Sequence, residues 1–300
     1  MPEALIVYFS QGGTTATIAD AIRDGLCASG YTVQGCNLGE RTPPAIERYD
    51  VLGIGFPVYV FRPPHNVIDY VRDLIDFAGK PFFVFTLYGN ARGDAGTWMR
   101  RALAQKGGQE KGYFYARGAE YYYGYLRRGY LFSPSHPTAE DIVKARGFGT
   151  QIATRVAGQS YAREPLDAPP VFVHRLERAF TSLWLIRAVY SRLFRVNSDA
   201  CIGCGRCVQV CPTHNITLDA NKHPQWGRRC LLCQYCEMAC PAEAIVSPLS
   251  WPIAQSFIRY NIRHALRDPH LEYAPVVHEN GRTRRLDGPG HRYTLIIGGP

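Results

Sequence analysis

The sequence predicts an α/β protein in which a doubly wound parallel sheet is joined to a small second domain built on cysteine. Over residues 1 to about 160, apolar runs of strand length alternate with helical patterns, the order that yields a parallel sheet covered on both faces. Over residues 201–245, eight of the ten cysteines fall into two copies of one pattern. A Pro-rich break, Glu164-Pro165-Leu166-Asp167-Ala168-Pro169-Pro170, stands between the two regions.

Ala4–Phe9 is an uncharged apolar run suited to a strand buried on both faces. It ends in Ser10-Gln11-Gly12-Gly13-Thr14-Thr15, after which Ile18, Ala19, Ile22 and Leu26 recur at helical steps. A strand, a turn rich in glycine and hydroxyls, and a helix make an anion site, with backbone N–H groups aimed at phosphate. The loop has no P-loop lysine and does not fit G-x-G-x-x-G, which argues against ATP and dinucleotides. Tyr31–Leu38 and Asp50–Phe56 read as the next two strands, the second continuing into Pro57-Val58-Tyr59-Val60-Phe61 before a helix near Pro64–Phe77. Pro81–Leu87 is a fourth strand, ending in Tyr88-Gly89-Asn90-Ala91-Arg92-Gly93-Asp94, and a helix through Trp98, Met99, Ala102 and Leu103 follows. Lys111–Ala119 reads as a fifth strand and Thr138–Tyr161 as a final helix. The tyrosine-dense stretch Gly118–Tyr125 is expected to pack between domains, with a cap on a bound cofactor or the lining of a substrate pocket as alternatives, and Cys27 and Cys36 are expected to behave as small buried hydrophobes.

The cysteine patterns are Cys201-x2-Cys204-x2-Cys207-x3-Cys211-Pro212 and Cys230-x2-Cys233-x2-Cys236-x3-Cys240-Pro241. A shift of 29 residues superposes all four cysteines, the proline, and Ile216 on Ile245, which marks an internal duplication. C-x2-C-x2-C-x3-C-P is the run that holds [4Fe–4S] clusters, with the fourth thiolate serving the other cluster of a pair. Cys201, Cys204, Cys207 and Cys240 are therefore the candidate ligands of cluster 1, and Cys230, Cys233, Cys236 and Cys211 those of cluster 2. A zinc site has no use for the third C-x2 step or the trailing Cys-Pro, and a disulfide framework needs an oxidising compartment that nothing in the chain specifies.

From about Val171 to Phe194 an apolar stripe of Leu176, Phe180, Leu183, Ile186, Tyr190 and Leu193 predicts one amphipathic helix that bridges the domains; an interfacial membrane helix is the alternative. Trp251–Leu266 reads as a helix, and the tail runs to Tyr293-Thr294-Leu295-Ile296-Ile297. His264, His270, His278 and His291 lack metal-ligand spacing and read as surface residues. The formal charge of +9 falls to about +3 once two clusters and a phosphate of roughly −2 each are counted. With no basic tract or nucleic-acid motif, nucleic acid is not expected as a partner. No apolar run approaches the roughly 20 residues of a membrane span, and no signal peptide opens the chain, so cytoplasm is the expected compartment.

Ser10, Gly13 and Thr15 match the S/T-x-x-G-x-T phosphate loop of flavodoxins, and residues 4 to about 246 resemble fusions of a flavodoxin-like domain with a bacterial-type two-cluster ferredoxin, the tail from Ser247 lying outside the resemblance. The ferredoxin likeness extends to Asn215-Ile216, Pro224, Trp226 and Ala244-Ile245, whereas Gln11 and Thr14 depart from the commoner loop residues. The resemblance implies a flavodoxin-like sheet of order 2-1-3-4-5 with FMN at the switch point, and an α+β ferredoxin domain. It assigns the phosphate to Ser10, Gln11, Gly12, Gly13, Thr14 and Thr15, and the isoalloxazine to Pro57, Val58 and Tyr59 on one side and Tyr88, Gly89 and Asn90 on the other. Arg92 is read as a solvated loop cation. The implied domains are 1–163 for FMN, 164–195 as linker and bridging helix, 196–248 for two [4Fe–4S] clusters, and 249–300 as an extension. The expected function is electron transfer with a transient redox protein partner. The alternative is an FMN-dependent reductase of a small-molecule substrate, fed by its own ferredoxin domain.

Overall fold

Residues 1–75, 77–279 and 282–285 are described in the computed structural model, which divides into two units. One comprises Met1–Ala119 and Ser135–Val171, the other Glu120–Pro134 and Phe172–Pro300.

The first unit is built on five parallel strands. β1 (Glu3–Tyr8) leads through a short loop to α1 (Thr14–Ala28) and β2 (Thr32–Asn37); β3 (Val51–Pro57), α2 (His65–Asp73), β4 (Pro81–Tyr88), α3 (Ala95–Gln105) and β5 (Gln109–Arg117) follow. Their order is β2-β1-β3-β4-β5, so the sheet reverses direction of growth between β1 and β3. The interiors of β1, β3 and β4 are buried at successive positions, as strands covered on both faces require. On one face Ile18, Ile22 and Leu26 of α1 meet Ile6, Phe83 and Phe85, together with Phe148 and Ile152 of a later helix (Ala139–Val156). A fully buried phenylalanine of this kind contributes roughly 2–3 kcal/mol through the apolar area it removes from water.

Between β5 and that last helix the chain departs to the second unit, as α4 (Tyr123–Leu126) and β6 (Tyr130–Phe132), and then returns as α5 (Ala139–Val156). The tyrosine-dense stretch therefore packs inside the second unit. Tyr123 joins Leu126, Leu131 and Met238, and Tyr125 joins Phe132, Ile258 and Ile262. α5 opens with a reciprocal cap in which Asp141 N–H donates to the Thr138 hydroxyl at 3.2 Å and Thr138 N–H donates to the Asp141 carboxylate at 2.8 Å.

The Pro-rich stretch is anchored rather than a free linker. Asp167, 7 % exposed, accepts the Thr97 N–H at 2.8 Å and pairs with Arg92 at 3.1 Å, while Arg100 donates to the carbonyls of Glu164 and Pro165. Arg92 is thus engaged with Asp167 and stacked over Tyr115 at 3.7 Å, not solvated. Cys36 is buried as expected, but Cys27 is exposed, because the inward stripe of α1 runs through Ile22 and Leu26 and leaves position 27 outside it.

In the second unit the expected single helix is broken into α6 (Phe172–Phe180) and α7 (Leu183–Ala188), with a 3-10 turn over Tyr190–Arg192. The Thr181 hydroxyl bonds back to the Glu177 carbonyl at 2.8 Å, and the Ser182 side chain accepts the Leu185 N–H at 3.5 Å, so adjacent hydroxyl residues end one helix and cap the next. The cysteine region follows as β7 (Arg195–Val196), α8 (Arg206–Gln209), β8 (Ile216–Leu218), β9 (Pro224–Trp226), α9 (Tyr235–Met238) and β10 (Ile245–Val246). α10 (Pro252–Ala265) matches the expected helix, and β11 (Tyr273–Glu279) pairs with both β6 and β12 (Arg282–Arg285). His264 and His270 are exposed; the side chain of His278, together with His291 and Tyr293–Ile297, lies outside the described residues.

Candidate cofactor sites

In the first unit the loops expected to form a site all leave the carboxyl ends of neighbouring strands. Ser10–Thr15 joins β1 to α1, Val58–Arg62 follows β3, and Gly89–Asp94 follows β4. Asn37, at the end of β2, anchors the first loop. Its amide accepts the Ser10 N–H and donates to the Ser10 carbonyl, each at 3.1 Å. The Ser10 hydroxyl accepts the Ala16 N–H at 3.1 Å, closing the loop over the start of α1. Gly13 holds the left-handed conformation at the N-cap, so the cap residue itself offers no side chain to the first-turn N–H groups, and no acid stands in that turn. Thr15 is buried, whereas Ser10 to Thr14 are half-buried. The end of β5 reaches the same loop, for a side chain at Gly118 would press on Leu87 and the Thr14 hydroxyl.

The Tyr59 hydroxyl donates to Gln11 Oε1 at 2.5 Å, tying the second loop to the first, and its ring packs edge-on against Phe9. Tyr59 and Arg62 exchange both backbone hydrogen bonds around Val60 and Phe61, whose φ values of 47° and 58° are unusual for a β-branched and a bulky residue. At the third loop Arg117 lies over the Tyr88 ring at 5.5 Å and donates to the Gly89 carbonyl at 2.9 Å. Burial raises the Tyr88 phenol above its ordinary pKa in spite of that cation.

In the second unit the two cysteine repeats share one backbone. Positions 29 apart have matching φ: Gly203 and Leu232 at 65° and 57°, Gly205 and Gln234 at 71° and 58°, His214 and Glu243 at 49° and 47°. Asn215 N–H donates to Cys211 Sγ at 3.3 Å, and Ala244 N–H to Cys240 Sγ at 3.4 Å. The strands are exchanged between repeats, β7 pairing with β10 and β8 with β9. Cys201, Cys204, Cys207 and Cys240 line one cavity. Cys211, Cys230, Cys233 and Cys236 line another. Among the described residues no three His, Cys, Asp or Glu side chains converge on a single ion. Each quartet instead surrounds a void.

The 4Fe-4S binding domain model matches residues 194–217, and the flavodoxin domain model matches residues 5–128. The chain joins a flavodoxin domain to a 4Fe-4S binding domain. Similar solved structures include oxidised Flavodoxin 1 from Bacillus cereus, at 20 % identity and a TM-score of 0.42, covering 53 % of this chain and 99 % of that one. Two-electron reduced flavodoxin from Megasphaera elsdenii gives 19 %, 0.40, 50 % and 98 %. A flavodoxin from the domain Archaea gives 17 %, 0.42, 52 % and 99 %. Among curated proteins none matches.

The flavodoxin domain implies FMN, and its residues fit that group. The α1 N-terminus has glycine at its N-cap and no acid in its first turn, the Ser10–Thr15 loop is fixed by Asn37, and Tyr59 and Tyr88 stand on the flanking loops. The 4Fe-4S domain implies a [4Fe–4S] cluster, and four soft thiol donors around one void suit it. Burial pushes the Cys207 thiol up to about 11, Cys230 up to about 12, and Cys236 well above the ordinary range, so a bound cluster would hold them as thiolates against their surroundings.

Three supporting residues are singled out by no sequence motif. Asn37 and Arg117 hold the first and third loops from the ends of the two edge strands. Glu237, 3 % exposed, sits beside Cys236 and accepts the Ser250 hydroxyl at 2.6 Å and the Gln234 amide and Ser247 N–H at 3.2 Å each, with Arg127 at 3.6 Å. A glutamate between two cysteines reads from sequence as a solvated turn.

Proposed function

We propose that this protein is an electron carrier that holds FMN and two [4Fe–4S] clusters and exchanges electrons with a redox protein that docks transiently. The reading rests above all on the second quartet. Cys230, Cys233, Cys236 and Cys211 enclose a cavity on the same backbone as the matched first motif, although the 4Fe-4S match itself stops at residue 217. When bound, the clusters supply one-electron transfer and FMN one- or two-electron transfer, so their union links donors and acceptors of different stoichiometry.

The chain's own residues hold and insulate these groups. Each triplet of thiols grips one site, and the fourth thiol, carried beyond its own short helix, reaches across to the other. N–H groups of Asn215 and Ala244 orient Cys211 and Cys240 through their sulfur atoms. Buried Leu231 and Leu232 keep water from the second quartet. In the first unit Ser10–Thr15 would receive the FMN phosphate, Tyr59 would lie against one side of the ring system, and Tyr88, Gly89 and Asn90 would form the other. Thiols of this kind persist in a reducing compartment, which supports the cytoplasm. Anaerobic purification followed by iron, sulfide and flavin counts tests the reading, with about eight irons and one FMN per chain expected. Four irons would reduce it to one cluster, and a flavin-free, iron-replete protein would remove FMN.

A further inference from the structure

Helix α6 is amphipathic with its polarity reversed. His174 and Glu177 turn inward, where Glu177 accepts the Asn261 side-chain amide at 3.0 Å and His174 meets the rings of Tyr260 and His264 at 6.2 and 5.8 Å. Phe172, Leu176 and Phe180, spaced by four and hence on one side of the helix, are exposed at 76 %, 40 % and 51 %. Trp184, at the start of α7, is 69 % exposed. A surface helix ordinarily buries its apolar stripe, and a contiguous exposed one marks an interaction site.

α10 runs alongside and supplies charge. Phe257 packs on Phe180 at 6.3 Å; Ile258, Ile262 and Ala265 face the core, and Arg259 and Arg263, with Arg267 just past the helix, are exposed. Arg175 lies within the exposed side of α6 itself. An apolar ridge of Phe, Leu and Trp beside a row of arginines is the composition of a helix lying in a membrane interface. No helix among the described residues is long and apolar enough to cross a membrane. An acidic protein surface would answer the arginines alone; an anionic bilayer answers both halves of the face.

We infer that α6, the start of α7 and the outer side of α10 dock this protein on an anionic lipid surface. Phe172, Leu176, Phe180 and Trp184 enter the headgroup–acyl boundary, while Arg175, Arg259, Arg263 and Arg267 meet lipid phosphates. The inference does not depend on how many clusters the chain holds.

Cosedimentation of the anaerobically purified holoprotein with vesicles tests it. Phosphatidylglycerol vesicles should bind at least about tenfold more protein than phosphatidylcholine vesicles, and added salt should release it. The variant F172S/F180S/W184S should lose binding while its absorption spectrum and iron content stay unchanged, since all three side chains are exposed. R263Q/R267Q should weaken binding and flatten its salt dependence. Lipids brominated on the acyl chain should quench native fluorescence, and W184F should remove that share. Failure to bind phosphatidylglycerol vesicles, or binding that survives F172S/F180S/W184S, overturns the inference. So does a protein dimer that the same triple substitution dissociates, or arginine-dependent capture of an acidic protein with no vesicle binding.

Discussion

The two cysteine loops have the same backbone and opposite surroundings. In the first, Gly203 and Gly205 occupy the left-handed positions, Cys204 is exposed, and Ile202 stands in solvent. In the second, the same positions carry Leu232 and Gln234, 4 % and 1 % exposed, and Cys230 is buried where its counterpart Cys201 is half-buried. A left-handed conformation costs a non-glycine residue about 1–2 kcal/mol. The second loop accepts that cost twice because its side chains are needed inside. Leu232 packs with Ile186, and Gln234 donates to Glu237, Ser247 and Ser250. Duplication has kept the geometry that aims four sulfurs at a void, and has let burial, strain and charge diverge. The first site is thereby the more exposed of the two and the second the more buried.

The largest effect tests whether the loops exchange their fourth cysteines. Cys211→Ser should remove the cluster of the second triplet, about four of about eight irons, although Cys211 belongs to the first motif. Combining it with Cys230→Ser should cost no further iron, because both residues serve one site. Combining it with Cys207→Ser should leave almost none. Iron counts and the EPR of the reduced protein read the result, and additivity of the first pair would break the crossed arrangement.

The sheet order, the three loops at its carboxyl edge and the two cysteine quartets are legible in the sequence, because they follow from local patterns that tertiary packing does not override. What stays hidden depends on distant partners. Nothing near Asp167 in sequence says that it is buried against Thr97 and Arg92, so a Pro-rich run reads as a linker. Residues 120–134 join the second unit because β6 pairs with β11, some 140 residues further along the chain. The stripe from Leu176 to Leu193 has the right period, but Thr181 and Ser182 satisfy backbone groups with their own hydroxyls and divide the helix.

A pH titration of the iron-free protein sharpens the contrast in burial. An unfolded cysteine ionises near 8.5, whereas burial holds Cys207 up to about 11 and Cys230 up to about 12. Below the unfolded value both states keep their protons and nothing is lost. As pH rises through the window toward the folded values only the unfolded chain ionises, so stability falls, on the order of 1–2 kcal/mol per buried thiol by pH 10. Cys230→Ala should flatten this decline in urea midpoints. An unchanged slope would mean that burial does not hold the Cys230 proton.

Strain should register at a similar or slightly smaller scale. A Cβ at Gly205 meets only Leu218 at 3.7 Å, so Gly205→Ala isolates the conformational cost, about 1 kcal/mol in chemical denaturation. Gln234→Gly relieves the same strain but withdraws a buried amide from Glu237 and two serines, and should be net destabilising by about 1–2 kcal/mol. If Gln234→Gly stabilised the protein, the second loop's side chains would not be what justifies its backbone.

The smallest effect concerns charge. The residue after the third cysteine is Val208 in the first loop and Glu237 in the second, where a buried carboxylate is held by Ser247, Ser250 and Gln234. A fixed negative charge beside a redox centre opposes the arrival of an electron. Glu237→Gln should therefore raise the potential of the second cluster by about 20–60 mV in an EPR-monitored titration, since 59 mV corresponds to a tenfold change for one electron. The first cluster, with only Val208 there, should stay put. Arg127, 3.6 Å from the carboxylate and half exposed, offsets part of the charge, so Arg127→Gln should move the same potential down by a lesser amount. Opposite signs from the two substitutions separate an electrostatic role from a packing one, because loosening the fold would shift both in the same direction.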